Sequence, residues 1–157
     1  MPPEAPEIAW NEIHLGRLLA SASQRFDARV LALMARDEDL SLTLANLVRR
    51  GNLTAAHVQI TRHLPADGCT LSVLAARASV SKQAIGKLVD QCAAWDLVRR
   101  LAHPRDGRSV QIVFTQSGTQ WLQAYRNAVQ QAEAEFRAAL GDQVATVVNL
   151  GLEIYLA

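Results

Sequence analysis

The stretch TLSVLAARASVSKQAIGKLVDQCAAW, residues 70–95, decides the fold. Thr70 is placed to cap a short helix over Leu71–Arg77, because a threonine oxygen accepts a hydrogen bond from a free amide of the first turn. Ala78-Ser79-Val80 interrupts it, Ser81 supplies a second cap, and Lys82–Trp95 reads as a longer helix. Two helices joined by about three or four turn residues make a helix-turn-helix. The second helix sorts into two faces. Ala84, Ile85, Leu88, Val89 and Cys92 recur at helical spacing and are expected to pack inward; Lys82, Gln83, Gly86, Lys87 and Asp90 are expected to face out.

After Leu97 the period changes from helical to alternating. Val98–Leu101 and Val110–Phe114 read as two short strands, with Ala102–Ser109 as their connecting hairpin and Pro104 and Gly107 within it. Its tip carries His103, Arg105, Asp106 and Arg108. A helix-turn-helix followed by such a hairpin is a winged helix, here spanning residues 53–115. Thr54 caps the helix that leads in, ending near Leu64.

The outer segments are helical. Ile8 to about Leu33 places apolar residues at threes and fours, and Leu40–Arg50 forms another apolar stretch closed by Gly51-Asn52. Thr115 caps a helix to about Leu140; Gly141-Asp142 breaks it, and Gln143–Ala157 forms a final, very apolar helix. The expected fold is therefore mainly α with a small β-hairpin wing. The chain is one domain, residues 1–157, with N-terminal helices over 8–50 and C-terminal helices over 116–157. Val144, Val147, Val148, Leu150, Leu152, Ile154 and Leu156 exceed what one small core needs, so these outer helices are assigned to dimerisation.

Charge is distributed unevenly. The chain has 16 basic and 15 acidic residues. Within residues 77–108, however, seven basic side chains stand against Asp90, Asp96 and Asp106, a local net of +4 that leaves −3 for the remainder. A basic patch on a slightly acidic body suits phosphate. An α-helix fits the major groove of B-DNA, where Gln83 can pair with adenine and Lys82 and Lys87 can reach guanine acceptors or phosphates. Ser79 and Ser81, beside the positive end of the helix dipole, are assigned to phosphate. Arg105 and Arg108 on the hairpin tip suit the narrow, electronegative minor groove.

These motifs together resemble the MarR family of bacterial winged helix-turn-helix transcription regulators. The resemblance rests on Leu53-Thr54, on Thr70 through Asp90, on Leu97–Arg100, on the wing Pro104-Arg105-Asp106-Gly107-Arg108, and on Phe114–Gly118. It departs where the family's wing usually opens with aspartate, a place held here by His103. The resemblance implies a homodimer that sets two recognition helices in successive major grooves of a pseudo-palindromic operator, about 34–36 Å apart. It further implies a repressor released by a small aromatic or phenolic effector, bound between the dimerisation helices and the winged domain. Trp10, His14, His57 and Arg62 fall in segments able to line that pocket.

Other classes find little support. The sequence offers no Gly-rich phosphate loop, nucleophile elbow or metal-ligand cluster, so neither catalysis, nor a cofactor, nor a metal is expected. His57 and His63 are six apart, which does not bring two rings to one helix face. Cys69 and Cys92 lack metal or thioredoxin spacing and are read as reduced; Cys69 is the better placed of the two for oxidant sensing. No apolar run approaches a membrane span, and the expected location is the cytoplasm. A second reading, a winged-helix protein–protein adaptor that has given up DNA, is left open by His103 and the modest net charge.

Overall fold

The computed structural model describes residues 14–102 and 109–157. Helix α1, Leu15–Met34, leads to α2, Leu42–Arg49, and α3, Ala55–His63. A two-residue strand β1, Cys69–Thr70, precedes α4, Leu71–Arg77, and α5, Lys82–Ala94. Strands β2, Val98–Ala102, and β3, Val110–Phe114, form the hairpin; α6, Gln116–Leu140, and α7, Asp142–Leu156, close the chain.

Helix starts follow the capping residues. Ser41 accepts from the Leu44 amide, Thr70 from Val73, Ser81 from Ala84 and Thr115 from Gly118. The helix expected from Ile8 to about Leu33 is interrupted at His14: α1 runs from Leu15, where the His14 ring accepts the Arg17 amide at 3.3 Å and serves as the cap, and residues 8–13 lie outside the described residues.

Helix ends share one device. After α2, α4 and α5, the residues Gly51, Ser79 and Asp96 turn left-handed, with φ of 71°, 54° and 56°. In each case two backbone amides then reach back into the last turn; after α4 these are Ser79 to Ala76 and Val80 to Ala75, both at 3.1 Å. This is the Schellman termination, which satisfies carbonyls that a helix end leaves open. It ends α5 at Ala94 with Trp95 as cap, rather than carrying the helix through Trp95.

The sheet has an element that alternation of apolar residues did not reveal. Its order is β1-β3-β2, all antiparallel, with Val98 opposite Phe114 and Cys69 opposite Ile112. Two residues carry no period, so β1 reads only as the approach to a cap. Gly68 makes the pairing possible: at φ +83°, a Cβ there would lie 2.5 Å from the Ile112 carbonyl.

Leu53, Ile60, Leu74, Ile85, Val89, Leu97, Ile112 and Trp121 are fully buried at the junction of α3–α6 with the sheet. Each such aliphatic side chain contributes about 1.5–3 kcal/mol by leaving water. On α6 the inward residues Gly118, Trp121, Ala124, Ala128 and Ala132 form a mostly small stripe that lets α1 approach closely. The N-terminal half of α1 extends past this core. Leu15, Leu18 and Leu19 are exposed there, as are Val147, Leu150, Ile154 and Leu156 on α7.

Candidate nucleic-acid interface

Ile85, Val89 and Cys92, at spacings of four and three, form the buried seam of α5. That seam turns the opposite side of the helix outward. Lys82, Gln83 and Lys87 are exposed along its first turns, and Ser79 and Ser81 are exposed at the turn before it. All five described candidates for DNA contact are therefore exposed. Arg105 and Arg108, with His103, lie outside the described residues. One assignment on α5 is corrected: Ala84 is exposed, not buried, because it stands one residue, about 100°, away from the Ile85 seam.

The polar groups farther along α5 are already occupied. Asp90 accepts from the Arg100 guanidinium of β2 at 2.6 Å. Gln91 presents its side-chain carbonyl to Nε2 of His57 on α3 at 2.9 Å. With Asp90 paired to Arg100, Lys82, Gln83 and Lys87 stand toward the end of α5 where the helix dipole favours anions.

The three described candidate effector residues, His14, His57 and Arg62, do not line one cleft. Trp10 lies outside the described residues, and His14 caps α1. His57 is buried, and both ring nitrogens are engaged, one by Thr54 and the other by Gln91. Arg62 alone reaches a cleft, of about 320 Å³, where it is joined by Thr61, Leu64, Pro65, Tyr125 and Arg126. Its guanidinium donates to buried Asp27 of α1 at 2.6 Å and to the Tyr125 hydroxyl of α6 at 3.3 Å. Burial works to lower the pKa of Arg62, but the bonds to Tyr125 and Asp27 outweigh it and hold the pKa above its ordinary value. Asp27, 35 residues away in sequence, has no spacing signal that would announce this pairing. Tyr125 and Arg126 equally escape a reading of local pattern.

Neither thiol has the lowered pKa that favours reaction with an oxidant. Burial pushes the Cys92 thiol up to about 12. Burial and then Asp67 raise Cys69, against a lowering by Arg77, so the candidate sensor holds its proton more firmly than a free thiol. Among the described residues no cluster of three or more His, Cys, Asp or Glu could hold a metal, and no helix is long and apolar enough to cross a membrane.

A capped, outward-facing second helix in a two-helix unit, followed by a β-hairpin, defines a winged helix-turn-helix protein. Residues 58–109 match the sequence model described as the MarR family. Over these residues, about a third of the chain, the sequence is similar to the MarR family. No curated protein matches the sequence. Among solved structures, apo wild-type MarR from E. coli is 26% identical with a TM-score of 0.63, over 90% of this chain and 96% of that one. BldR from Sulfolobus solfataricus, a transcriptional regulator, is 20% identical with a TM-score of 0.63, covering 91% of each chain. The transcriptional repressor CouR, solved on a 23-mer DNA duplex, is 18% identical with a TM-score of 0.68, over 98% of this chain and 99% of that one. Their shared architecture is the MarR fold.

Proposed function

We propose that this chain is a sequence-specific, double-stranded-DNA-binding transcription regulator, a cytoplasmic repressor acting as a homodimer on a pseudo-palindromic operator. The observation that carries the reading is the exposed surface of Ser79, Ser81, Lys82, Gln83 and Lys87 at the N-terminal end of α5. Gln83 and the two lysines read bases or phosphates in the major groove. The Ser81 oxygen accepts from the Ala84 amide and still has its own proton to donate to a phosphate. Arg105 and Arg108 grip from the wing. The DNA-bound repressor of like fold supports both the partner and the sign of regulation. No catalytic step is assigned to any residue.

The exposed leucines of α1 and the exposed apolar residues of α7 support the homodimer, since a second copy would remove them from water. Release by a small aromatic or phenolic effector is assigned to the cleft at Arg62. There the cation joins α1, α3 and α6, so a ligand that draws Arg62 from Asp27 also alters the seat of the winged domain. Such a ligand acts only by preferring one of the two arrangements.

Binding to palindromic DNA from the chain's own promoter region, measured against salt, tests the proposal. The affinity is expected to fall steeply with salt, and Lys87→Ala to reduce the slope by about one contact. Absence of binding at low salt overturns it and favours a protein–protein adaptor.

A further inference from the structure

His57 is a titratable ring only 4% exposed, and the DNA-contacting surface does not use it. Its hydrogen bonds fix where its proton sits. The Thr54 backbone amide lies 3.1 Å from Nδ1 and can only donate, so Nδ1 carries no proton. The ring proton is therefore on Nε2 and is donated to the Gln91 carbonyl oxygen at 2.9 Å. His57 occupies the third position of α3, where a capping box normally has glutamate or glutamine. The ring also meets Trp95, the cap residue of α5, with centroids 5.0 Å apart. One side chain thus closes the start of α3 and grips the last turn of α5 at two points.

We propose that His57 is a positioning residue for DNA reading: in its neutral Nε2–H form it fixes α5 against α3, and protonation at Nδ1 loosens that seat and weakens operator binding. The inference rests on the DNA-binding reading above. A proton arriving from solvent at Nδ1 puts two donors, the ring N–H and the Thr54 N–H, face to face, and one bond must open. Thr54 is itself exposed and the bond is half-buried, so the freed amide turns to water while His57 loses its hold on the start of α3. The ring's partners Thr54, Gln91 and Trp95 are neutral. Of the charged groups on elements packed against α3, Asp27 of α1 is held by Arg62, Asp90 of α5 by Arg100, and Arg77 of α4 acts on His63.

The test compares wild type with His57→Gln. Glutamine at this position can still accept the Thr54 amide but cannot titrate. Operator affinity is measured between about pH 8 and about pH 5.5. Wild type is expected to lose about tenfold more affinity on acidification than His57→Gln, within the usual span of coupling between sites. His63 acts alike in both proteins and cancels. Gln91→Met, which keeps the cap and cuts the link to α5, is expected to flatten the profile in the same way. Identical pH profiles in all three overturn the proposal, as does nitrogen NMR placing the ring proton on Nδ1. If no variant binds DNA at any pH, the DNA-binding reading fails on its own. Amide exchange then decides the joint: faster exchange in α5 on acidification in wild type but not in His57→Gln upholds it, and equal exchange overturns it.

Discussion

Arg100 in the wing strand β2 and Asp90 on the outer side of α5 are joined by a 2.6 Å charge-assisted hydrogen bond, which ties the wing to the recognition helix. Their side chains are 39% and 70% exposed, so the pair is worth at most about 1 kcal/mol of stability. Its consequence lies in geometry. If Arg100 serves to hold the angle of the wing, Arg100→Ala and Asp90→Asn should weaken operator binding by similar factors, and Asp90→Arg/Arg100→Asp should restore most of it. If instead Arg100 contacts phosphate, the reversed pair stays weak and the salt dependence of binding falls by about one contact. Affinities of the four proteins at two salt concentrations decide the matter.

Ser79 holds a conformation that glycine adopts at little cost: φ is 54°, and the Schellman bonds at the end of α4 require it. Ser79→Gly should therefore raise stability by about 0.4–1 kcal/mol. Its hydroxyl is assigned to phosphate, so the same substitution should lower DNA affinity a few-fold. Chemical denaturation and operator binding, measured side by side, are expected to move in opposite directions. A protein more stable and equally tight in binding would leave the serine without a role at the interface.

The same position shows where sequence stops being informative. Caps and periods are local chemistry, and Ser41, Thr70, Ser81 and Thr115 each begin a helix because a side-chain oxygen meets an amide a few residues on. Gly51 announces a left-handed turn by its residue type, whereas Ser79 and Asp96 adopt the same turn under the constraint of the surrounding fold. The exposed side of α5 was legible because a 3.6-residue period leaves little choice about which side is buried. The contacts that fix α5 in place, His57 with Gln91 and Arg100 with Asp90, span 34 and 10 residues, and no spacing rule predicts them. Of the described candidate effector residues Arg62 reaches the cleft, and its ion-pair partner comes from α1, a pairing that no local spacing announces.

Asp27 is 8% exposed and has its charge satisfied by Arg62. Arg62→Ala strands that carboxylate, and because Arg62 is itself about a third exposed, the expected loss is about 1–3 kcal/mol, short of the figure for a fully buried pair. Asp27→Asn keeps the shape and removes the charge, so it should cost less. A double-mutant cycle read by thermal unfolding gives the coupling. Additive losses would show that the two side chains do not act together and would remove the basis for placing effector control at this cation.

Gly118 stands where α6 crosses the start of the wing. A Cβ there would lie 1.8 Å from the Leu97 carbonyl oxygen and 2.9 Å from its carbon, and both are backbone atoms that cannot rotate aside. The approach is fixed from both directions: the Thr115 amide donates to that same Leu97 carbonyl at 3.1 Å, and the Thr115 hydroxyl donates to the Asp96 carbonyl. Gly118→Ala must therefore push α6 away from the loop between α5 and β2. Alanine's better helix propensity, about 1 kcal/mol, acts in the opposite direction but is too small to offset a clash with backbone. The expected net loss is about 2 kcal/mol or more, within the range of severe overpacking. Gln116→Ala, two residues earlier and exposed, should change stability by less than about 0.5 kcal/mol. Equal unfolding midpoints for Gly118→Ala and wild type would mean that α6 does not approach the wing this closely, and the seat of the winged domain on the long helix would have to be redrawn.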